Sequence, residues 1–567
     1  MTKCAYRLVA RQYELLDRTL LPQLAVHGVV VHAGPHWTDA QRQWAQAVFE
    51  SEIEPLLTPI ALDPAHPFPR ILNKSLNFVV DLQGHDAFGR KAGIAIVQAP
   101  RALPRLLRVP PAVSGAPHGL MPLASILGGF VERLFPGLVV RSAHAFRLTR
   151  NSELFVDEEA VTDLRAALQG ELVQRQYGNE VRLEVSAAIP DALLARLLRE
   201  FELEEQDCYR VAGPVNLASL QQAVELVDLP ALKYPRFEPA IPAALRGRDL
   251  FAAIRRHDIL VHHPYESFTP VMQFLASAAR DPRVLAIRQT VYRTGADSAL
   301  MQALIDAARA GKEVTVVVEL MARFDEQTNI DWAARLEEAG AHVVYGVVGH
   351  KTHAKMAMVV RRETDRQRTV LRRYVHLGTG NYHPRTARLY EDFGLFTADE
   401  DLCADVHEVF RRLTGLGQRG ALRLLAQAPI DLHAMLIASI RREAAHARAG
   451  RKARVAAKVN ALLEPSLIEA LYEASAAGVT IDLIRNAGRK DVWLSSADWM
   501  DRNLFRRVEI AFPVRARKSK ERVLEEAIEA PLRDNVDAWA MDGDGSYRRT
   551  SRRGKRFAAQ RALLGQP

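Results

Sequence analysis

Cysteine is scarce. Cys4, Cys208 and Cys403 are the only three among 567 residues. They are too few and too scattered for a disulfide framework or a zinc site, so a reducing cytoplasm is the expected compartment. Long apolar runs are missing as well. None reaches the ~18 residues that a membrane-spanning helix needs, so no membrane span is expected. The opening stretch, MTKCAYRLVARQYELLDRTLL, spreads its charges throughout. It has no apolar core followed by a small-residue cleavage site, which argues against a secretory signal. Aromatic residues amount to only 7%, yet the hydrophobic fraction of 48% and charged fraction of 25% are globular values. Wholesale disorder, collagen and coiled coil are excluded. Acidic residues are outnumbered, 67 Asp and Glu against 76 Lys and Arg, for a formal charge of +9. That excess favours anionic partners such as nucleic acid, nucleotides, condensed phosphate or an acidic membrane surface, without choosing among them. The length fits about three to five domains.

Helical spacing recurs over 1–26 and 38–57, with Trp37-Thr38-Asp39 as a cap before the second. Four prolines make 58–72 a loop or an extended crossing. Strand patterns at 76–82, 92–98, 138–140 and 181–185 and helical ones at 121–136, 158–175 and 190–204 describe an α+β region. The Pro-rich segment 229–244 is the best domain boundary. After it the pattern changes to apolar strands at 284–287, 314–318 and 342–345, with helices at 269–280, 298–311 and 330–340 between them. That alternation implies a parallel or mixed α/β sheet. A second α/β stretch spans about 430–540, with helices at 431–450 and 465–477 and strands at 453–459, 479–484, 491–495 and 507–512. In both stretches a helix end, a Gly (Gly311, Gly478) and a strand follow one another, which reads as two copies of one unit.

Chemistry-bearing residues concentrate between 349 and 394. His353-Ala354-Lys355 sets an imidazole and an ammonium two apart, on one face if the segment is a strand. The turn Gly378-Thr379-Gly380-Asn381 can bring backbone N–H groups and an amide to an anion. Arg293 and Arg323 follow the ends of two expected strands, the edge at which open α/β sheets bind ligands. A guanidinium there matches phosphate oxygens; pairing with Asp325 or Glu326 is the competing use for Arg323.

The order His-x-Lys, about twenty residues, then a Gly-rich turn ending in Asn resembles a phospholipase D half-site. Longer runs sharpen this: HHPYESF (262–268), AIRQTVYRTGADS (286–298), VVVELMARFDEQTNIDWAARLEEAGAHVVYGVVGHKTHAKMAMVVRR (316–362) and YVHLGTGNYHPRTARLYEDFGLFTAD (374–399). Together they resemble the catalytic core of the long-form bacterial polyphosphate kinases. The resemblance implies reversible transfer of the terminal phosphate of ATP to inorganic polyphosphate, with Mg²⁺, on two phospholipase D-like domains. It makes His353 the phosphohistidine nucleophile, His376 a second required histidine and Tyr390 an ATP contact; Asn381, in the adjoining turn, is read as a second ATP-binding residue. Lys355 supplies fixed charge beside His353. Arg293 and Arg323 fall at the phosphate/Mg²⁺ site; because arginine cannot ligate a cation, both are assigned to phosphate oxygens that bridge Mg²⁺.

The expected layout is multidomain α/β and α+β. A remnant of a helical domain at 1–27 precedes an α+β middle domain at 28–238. Phospholipase D-like domains follow at 239–425 and, shortened, at 426–546, then a basic tail at 547–567. GVVVHAG (28–34) resembles the start of the family's second domain, so most of its opening domain is expected to be missing. In the shortened domain the family's Arg-Gly segment and its Glu-His-x-Arg histidine have no counterpart; Arg485 and Arg489 are weak substitutes, and no His follows His446. Impaired turnover is therefore expected. His262 and His263 read as positional, His66 as a turn residue and Trp499 as core. ATP/ADP and polyphosphate are the expected partners, with no nucleic acid and a possible homo-oligomer. A catalytically dead polyphosphate- or nucleotide-binding paralogue and a phospholipase D-type phosphodiesterase are the alternatives.

Overall fold

The computed structural model describes residues 2–565 apart from 35, 63–67, 86–88, 90–91, 152–164, 167, 170–171, 173–177, 248, 296–297, 323–324, 416–419, 482–484, 487–488 and 551–553. Most of the helix expected at 158–175, together with His66 and Arg323, lies outside the described residues. The chain forms two compact units, 1–155 with 170–235, and 156–169 with 236–567.

In the first unit a six-stranded sheet runs in the order Ile60–Ala61, Ile94–Gln98, Leu76–Gln83, Val139–Arg150, Glu180–Ser186, Cys208–Val211. Alternation along Leu76–Gln83 places Phe78 and Val80 in one core with Phe49, Ile53, Met121 and Ile126. Val79 faces the other core, with Phe146, Leu183 and Leu197. The expected cap forms: Gln41 N–H donates to Thr38 Oγ1 at 3.3 Å, and Thr38 N–H donates back to Gln41 Oε1 at 3.2 Å. This satisfies two otherwise orphaned groups at the start of Asp39–Val48.

The second unit is built on a seven-stranded sheet. Its order is Ile259–His263, Asp392–Thr397, Arg368–Gly378, Lys355–Asp365, Val284–Val291, Glu313–Val318, His342–Val344. The last three strands are mutually parallel, as their continuous apolar character requires. Lys355–Asp365 and Arg368–Gly378 form a long hairpin whose turn residues Arg366 and Gln367 both have positive φ, 47° and 67°. That turn matches the twist of the flanking strands. The helix expected at 330–340 starts four residues earlier, at Glu326.

A second sheet aligns Lys351–Thr352, Arg507–Pro513 and Ala426–Ala428, with Trp493–Ser495 also paired to Arg507–Pro513. Its apolar face shares one core with the large sheet: Met356, Met358, Val375 and Leu377 pack with Val508, Ile510 and Phe512. Around 453–486 the strands are stubs. The strand expected at 453–459 is only Arg454–Val455, and the one at 479–484 is described only as Thr480–Ile481. Trp499 is core, as expected, 7% exposed. No described helix is long and apolar enough to cross a membrane.

Candidate functional site

The site begins where the chain passes from one sheet to the other. Lys351–Thr352 pairs in parallel with Arg507 and Val508. The N–H groups of His353 and Ala354 then both donate to the Val508 carbonyl, at 2.9 and 2.8 Å. Two donors on one carbonyl break the ladder, and Lys355 opens a strand of the seven-stranded sheet. His353 lies between two strands and Lys355 opens the second, so the condition of a common strand is not met; both side chains still meet the Tyr292 ring, and Lys355 Nζ folds back to donate to the His353 carbonyl. Glu319 fixes this junction, accepting from Thr352 N–H at 2.6 Å and Met321 N–H at 2.9 Å.

His353 Nδ1 donates to both carboxylate oxygens of Glu509, at 2.8 and 2.9 Å. Glu509 is fully buried and also accepts from Ser496 Oγ at 2.5 Å and Asn503 Nδ2 at 2.7 Å. Burial pushes its pKa up, but His353, Lys355 and Ser496 hold it below the ordinary carboxylate value. An ionised carboxylate only accepts, so the hydrogen-bond network assigns the ring proton to Nδ1 and the lone pair to Nε2. Burial, reinforced by the Lys355 charge, pushes the imidazole down to about 4. At neutral pH His353 is thus an uncharged base with Nε2 available.

Fixed positive charge surrounds it. The Tyr292 ring meets His353 edge-on, centroids 4.8 Å apart. Lys355 Nζ lies 5.5 Å, and the Arg293 guanidinium 5.3 Å, from the centre of the same ring. Both are within cation–π range. Burial pushes Lys355 down to about 8, against the pull of Glu509 and Asp392 and helped by Arg507 and Arg293. Arg293 is held at φ 78°, a left-handed conformation that costs a non-glycine residue ~1 kcal/mol or more. Its Nε lies 3.5 Å from Asp325 Oδ2.

In the Gly-Thr-Gly-Asn turn, Thr379 Oγ1 donates to Asp392 Oδ1 at 2.7 Å. A Cβ on Gly380 would lie 2.2 Å from Asp392 Oδ2, so only glycine lets the turn approach this carboxylate. Asn381 follows, half-buried. His376 is buried in the strand before the turn. Its Nδ1 pairs with Tyr382 Oη at 2.9 Å, its Nε2 has no hydrogen-bond partner among the described residues, and burial pushes its pKa to about 3. Among the described residues no hydrogen bond joins it to His353 or Lys355. Tyr390 is exposed, outside the His353 network. His262, read as positional, is fully buried between Glu526 (2.7 Å) and Glu391 (3.2 Å).

The sequence reading missed Glu509, Ser496, Asn503 and Arg507. The one available signal was a glutamate in the apolar run Arg507–Pro513, since a buried carboxylate needs partners. Among the described residues, no group of three or more His, Cys, Asp or Glu could hold a metal ion. The arrangement suits nucleophilic attack by Nε2 on an anionic, phosphate-like centre.

Sequence profiles of known families cover most of the chain. The polyphosphate kinase middle domain matches 40–223, C-terminal domain 1 matches 249–419, and C-terminal domain 2 matches 425–487 and 484–560. A polyphosphate kinase of Burkholderia vietnamiensis is 58% identical over 582 residues, covering 96% of this chain and 85% of that protein. One from Burkholderia cenocepacia is 57% identical over 598 residues, covering 99% and 87%. The crystal structure of polyphosphate kinase from Porphyromonas gingivalis superposes with a TM-score of 0.83 at 27% identity, covering 99% of this chain and 89% of that one. This chain belongs to the polyphosphate kinase family.

Proposed function

We propose that the chain transfers the terminal phosphate of ATP to inorganic polyphosphate, reversibly, through a phosphohistidine on His353, in the cytoplasm. The observation that carries this reading is the buried Glu509 carboxylate on His353 Nδ1, which leaves Nε2 as the nucleophile. In the forward direction Nε2 attacks the γ-phosphorus. An N–P bond forms, the bond to the β–γ bridging oxygen breaks, and ADP leaves with the electron pair. Glu509 stabilises the positive charge that develops on the ring. A terminal oxygen of polyphosphate then attacks the same phosphorus, restoring neutral His353 and lengthening the chain by one phosphate. Lys355, Arg293 and Arg507 hold positive charge near the transferring oxygens, and charge neutralisation with positioning is the main demand of such a transfer. Arg323, Tyr390 and His376 take the roles that the family resemblance gives them, and Asn381 serves as a further ATP contact.

The site's carboxylates are committed: Glu509 to His353, Asp392 to Thr379, Asp325 to Arg293. Its cationic side chains suit phosphate oxygens. Mg²⁺ would be carried by the phosphates of ATP, where it supplies further charge neutralisation.

We further propose that the second catalytic domain, 426–546, has lost an internal segment. The match to the Burkholderia cenocepacia protein runs over 598 residues, more than the 567 of this chain. The profile of C-terminal domain 2 matches in two pieces that meet at 484–487. The family's Glu-His-x-Arg histidine belongs to the missing stretch, and a lost acid or base typically costs 10²–10⁴-fold. The gap favours a second reading, a polyphosphate- or nucleotide-binding paralogue without turnover.

The test is incubation of the purified protein with γ-labelled ATP and Mg²⁺. We expect acid-labile, base-stable label, with turnover on polyphosphate slower than that of an intact relative. Base-labile label would overturn the phosphohistidine, and no label on folded protein would favour the binding paralogue.

The labelling rate also has a defined pH dependence. His353 reacts when neutral, so the rate falls as pH drops through about 4. Lys355 acts when protonated, so the rate falls again as pH rises through about 8. An acid limb centred near the ordinary histidine value of ~6.5 would refute the burial of a neutral nucleophile.

A further inference from the structure

On the seven-stranded sheet, Arg288 sits opposite Met358, and Arg373 opposite Val360 of the same middle strand. Met358 and Val360 are two apart, so both arginines project from the sheet face covered by the helix Glu400–Leu413. This is not the face of Lys355 and His376, which alternate with them. Cys403, His407 and Arg411 form one line along the helix at four-residue spacing. Cys403 Sγ reaches the Arg373 carbonyl at 3.5 Å, and Arg288 Nη1 donates to His407 Nδ1 at 2.5 Å. A guanidinium only donates, so His407 is neutral and carries its proton on Nε2, a further donor.

Among the described residues neither Arg288 nor Arg373 has an ion-pair partner, although both are half-buried. Glu408, the carboxylate whose charge bears on His407, is engaged by Arg411 at 3.2 Å and Arg412 at 3.9 Å. Burial and Arg373 push the Arg288 pKa down; burial, Arg288, Arg373 and Arg411 do the same to His407. Half-buried like charges without a carboxylate are unfavourable unless an anion joins them. Two planar forks and an imidazole N–H match the oxygens of successive phosphates.

We propose that Arg288, Arg373 and His407 bind condensed phosphate, and that their occupant is a stretch of inorganic polyphosphate remote from its reacting end. Arg288 lies about 13 Å along its strand from Tyr292, four residues at ~3.3 Å each. The site would hold the polymer independently of the transfer step. The inference rests on polyphosphate as the polymer this family handles, and not on the role of His353.

Binding of labelled long-chain polyphosphate, measured against salt, tests it in the full-length protein. Arg288→Gln with Arg373→Gln should weaken binding about tenfold. It should also flatten the plot of log affinity against log salt by about 2, one for each lost cation. The KM for ATP should not change. The paired lysine substitutions should restore the slope. Unchanged affinity and slope in folded protein would overturn the proposal. Equal losses for ATP and tripolyphosphate would also overturn it, by making this a triphosphate site. If the double variant does not fold, Arg373→Gln alone carries the test, because that side chain makes no hydrogen bond among the described residues, and half the slope change is expected. His353→Ala should take no label yet bind polymer normally, which separates failure here from failure of the transfer reading.

Discussion

Protein carrying His353→Ala is expected to take no acid-labile label from γ-labelled ATP and to lose at least about 10⁴-fold in transfer rate, as loss of a nucleophile in other covalent mechanisms does. No neighbour can replace it. Lys355 is bound back to the His353 carbonyl and is 2% exposed. His376 has Nδ1 engaged by Tyr382, and its Nε2 is enclosed so tightly that a Cβ on Gly394 would lie 2.6 Å away. The variant should still fold. The His353 side chain is on the rim of the core, 18% exposed, and Glu509 keeps Ser496 and Asn503 as donors. A melting temperature within a few degrees of wild type, with no label, is the expected pair of results. Undiminished label in the variant would remove His353 from the mechanism.

His353 and Lys355 were legible because a half-site of one imidazole and one ammonium is local in the chain. So were the strands behind them: the apolar runs at 284–287 and 314–318 can only be buried on both faces. Glu509 was not legible, although it contributes as much to the site. It lies 156 positions from His353, and what joins them is the parallel pairing of Thr352 with Val508. No periodicity within either segment specifies that register. The same junction explains why His353 and Lys355 do not lie on one strand. A two-residue spacing predicts co-facing side chains only where the ladder is continuous, and the Val508 carbonyl interrupts it between 352 and 355. The helix start at Glu326 and the short Arg454–Val455 strand are boundary effects, decided by tertiary pairing more than by local pattern. The unpaired arginines at 288 and 373 were hidden for a related reason. Each sits in an ordinary strand run, and only the sheet and its covering helix show that no carboxylate among the described residues pairs with them.

Glu509→Gln is the change that separates the chemistry from the scaffold. Glutamine has nearly the same shape, so the core around Val508 and Ile510 is not disturbed. Ser496 Oγ already accepts from Ile510 N–H at 3.2 Å as well as donating to Glu509, and can turn to accept from the new amide. Asn503 can present its oxygen. The fold should therefore hold to within about 1–2 kcal/mol, the ordinary range for a hydrogen bond rearranged without orphaned groups. Two things are lost at His353. The developing imidazolium no longer faces a negative charge, and an amide N–H directed at Nδ1 would move the ring proton to Nε2, the atom that must attack. The corresponding change in a serine protease, with geometry intact and the tautomer wrong, costs about 10⁴ in kcat. We expect a fall of ~10³–10⁴ in labelling rate with little change in the KM for ATP, because Glu509 is fully buried behind His353. Glu509→Asp keeps the charge at a longer reach and should recover part of the rate. A Gln variant within tenfold of wild type would mean that the carboxylate only packs the histidine. The nucleophile would then be poised by burial, with the Lys355 and Arg507 charges acting on it.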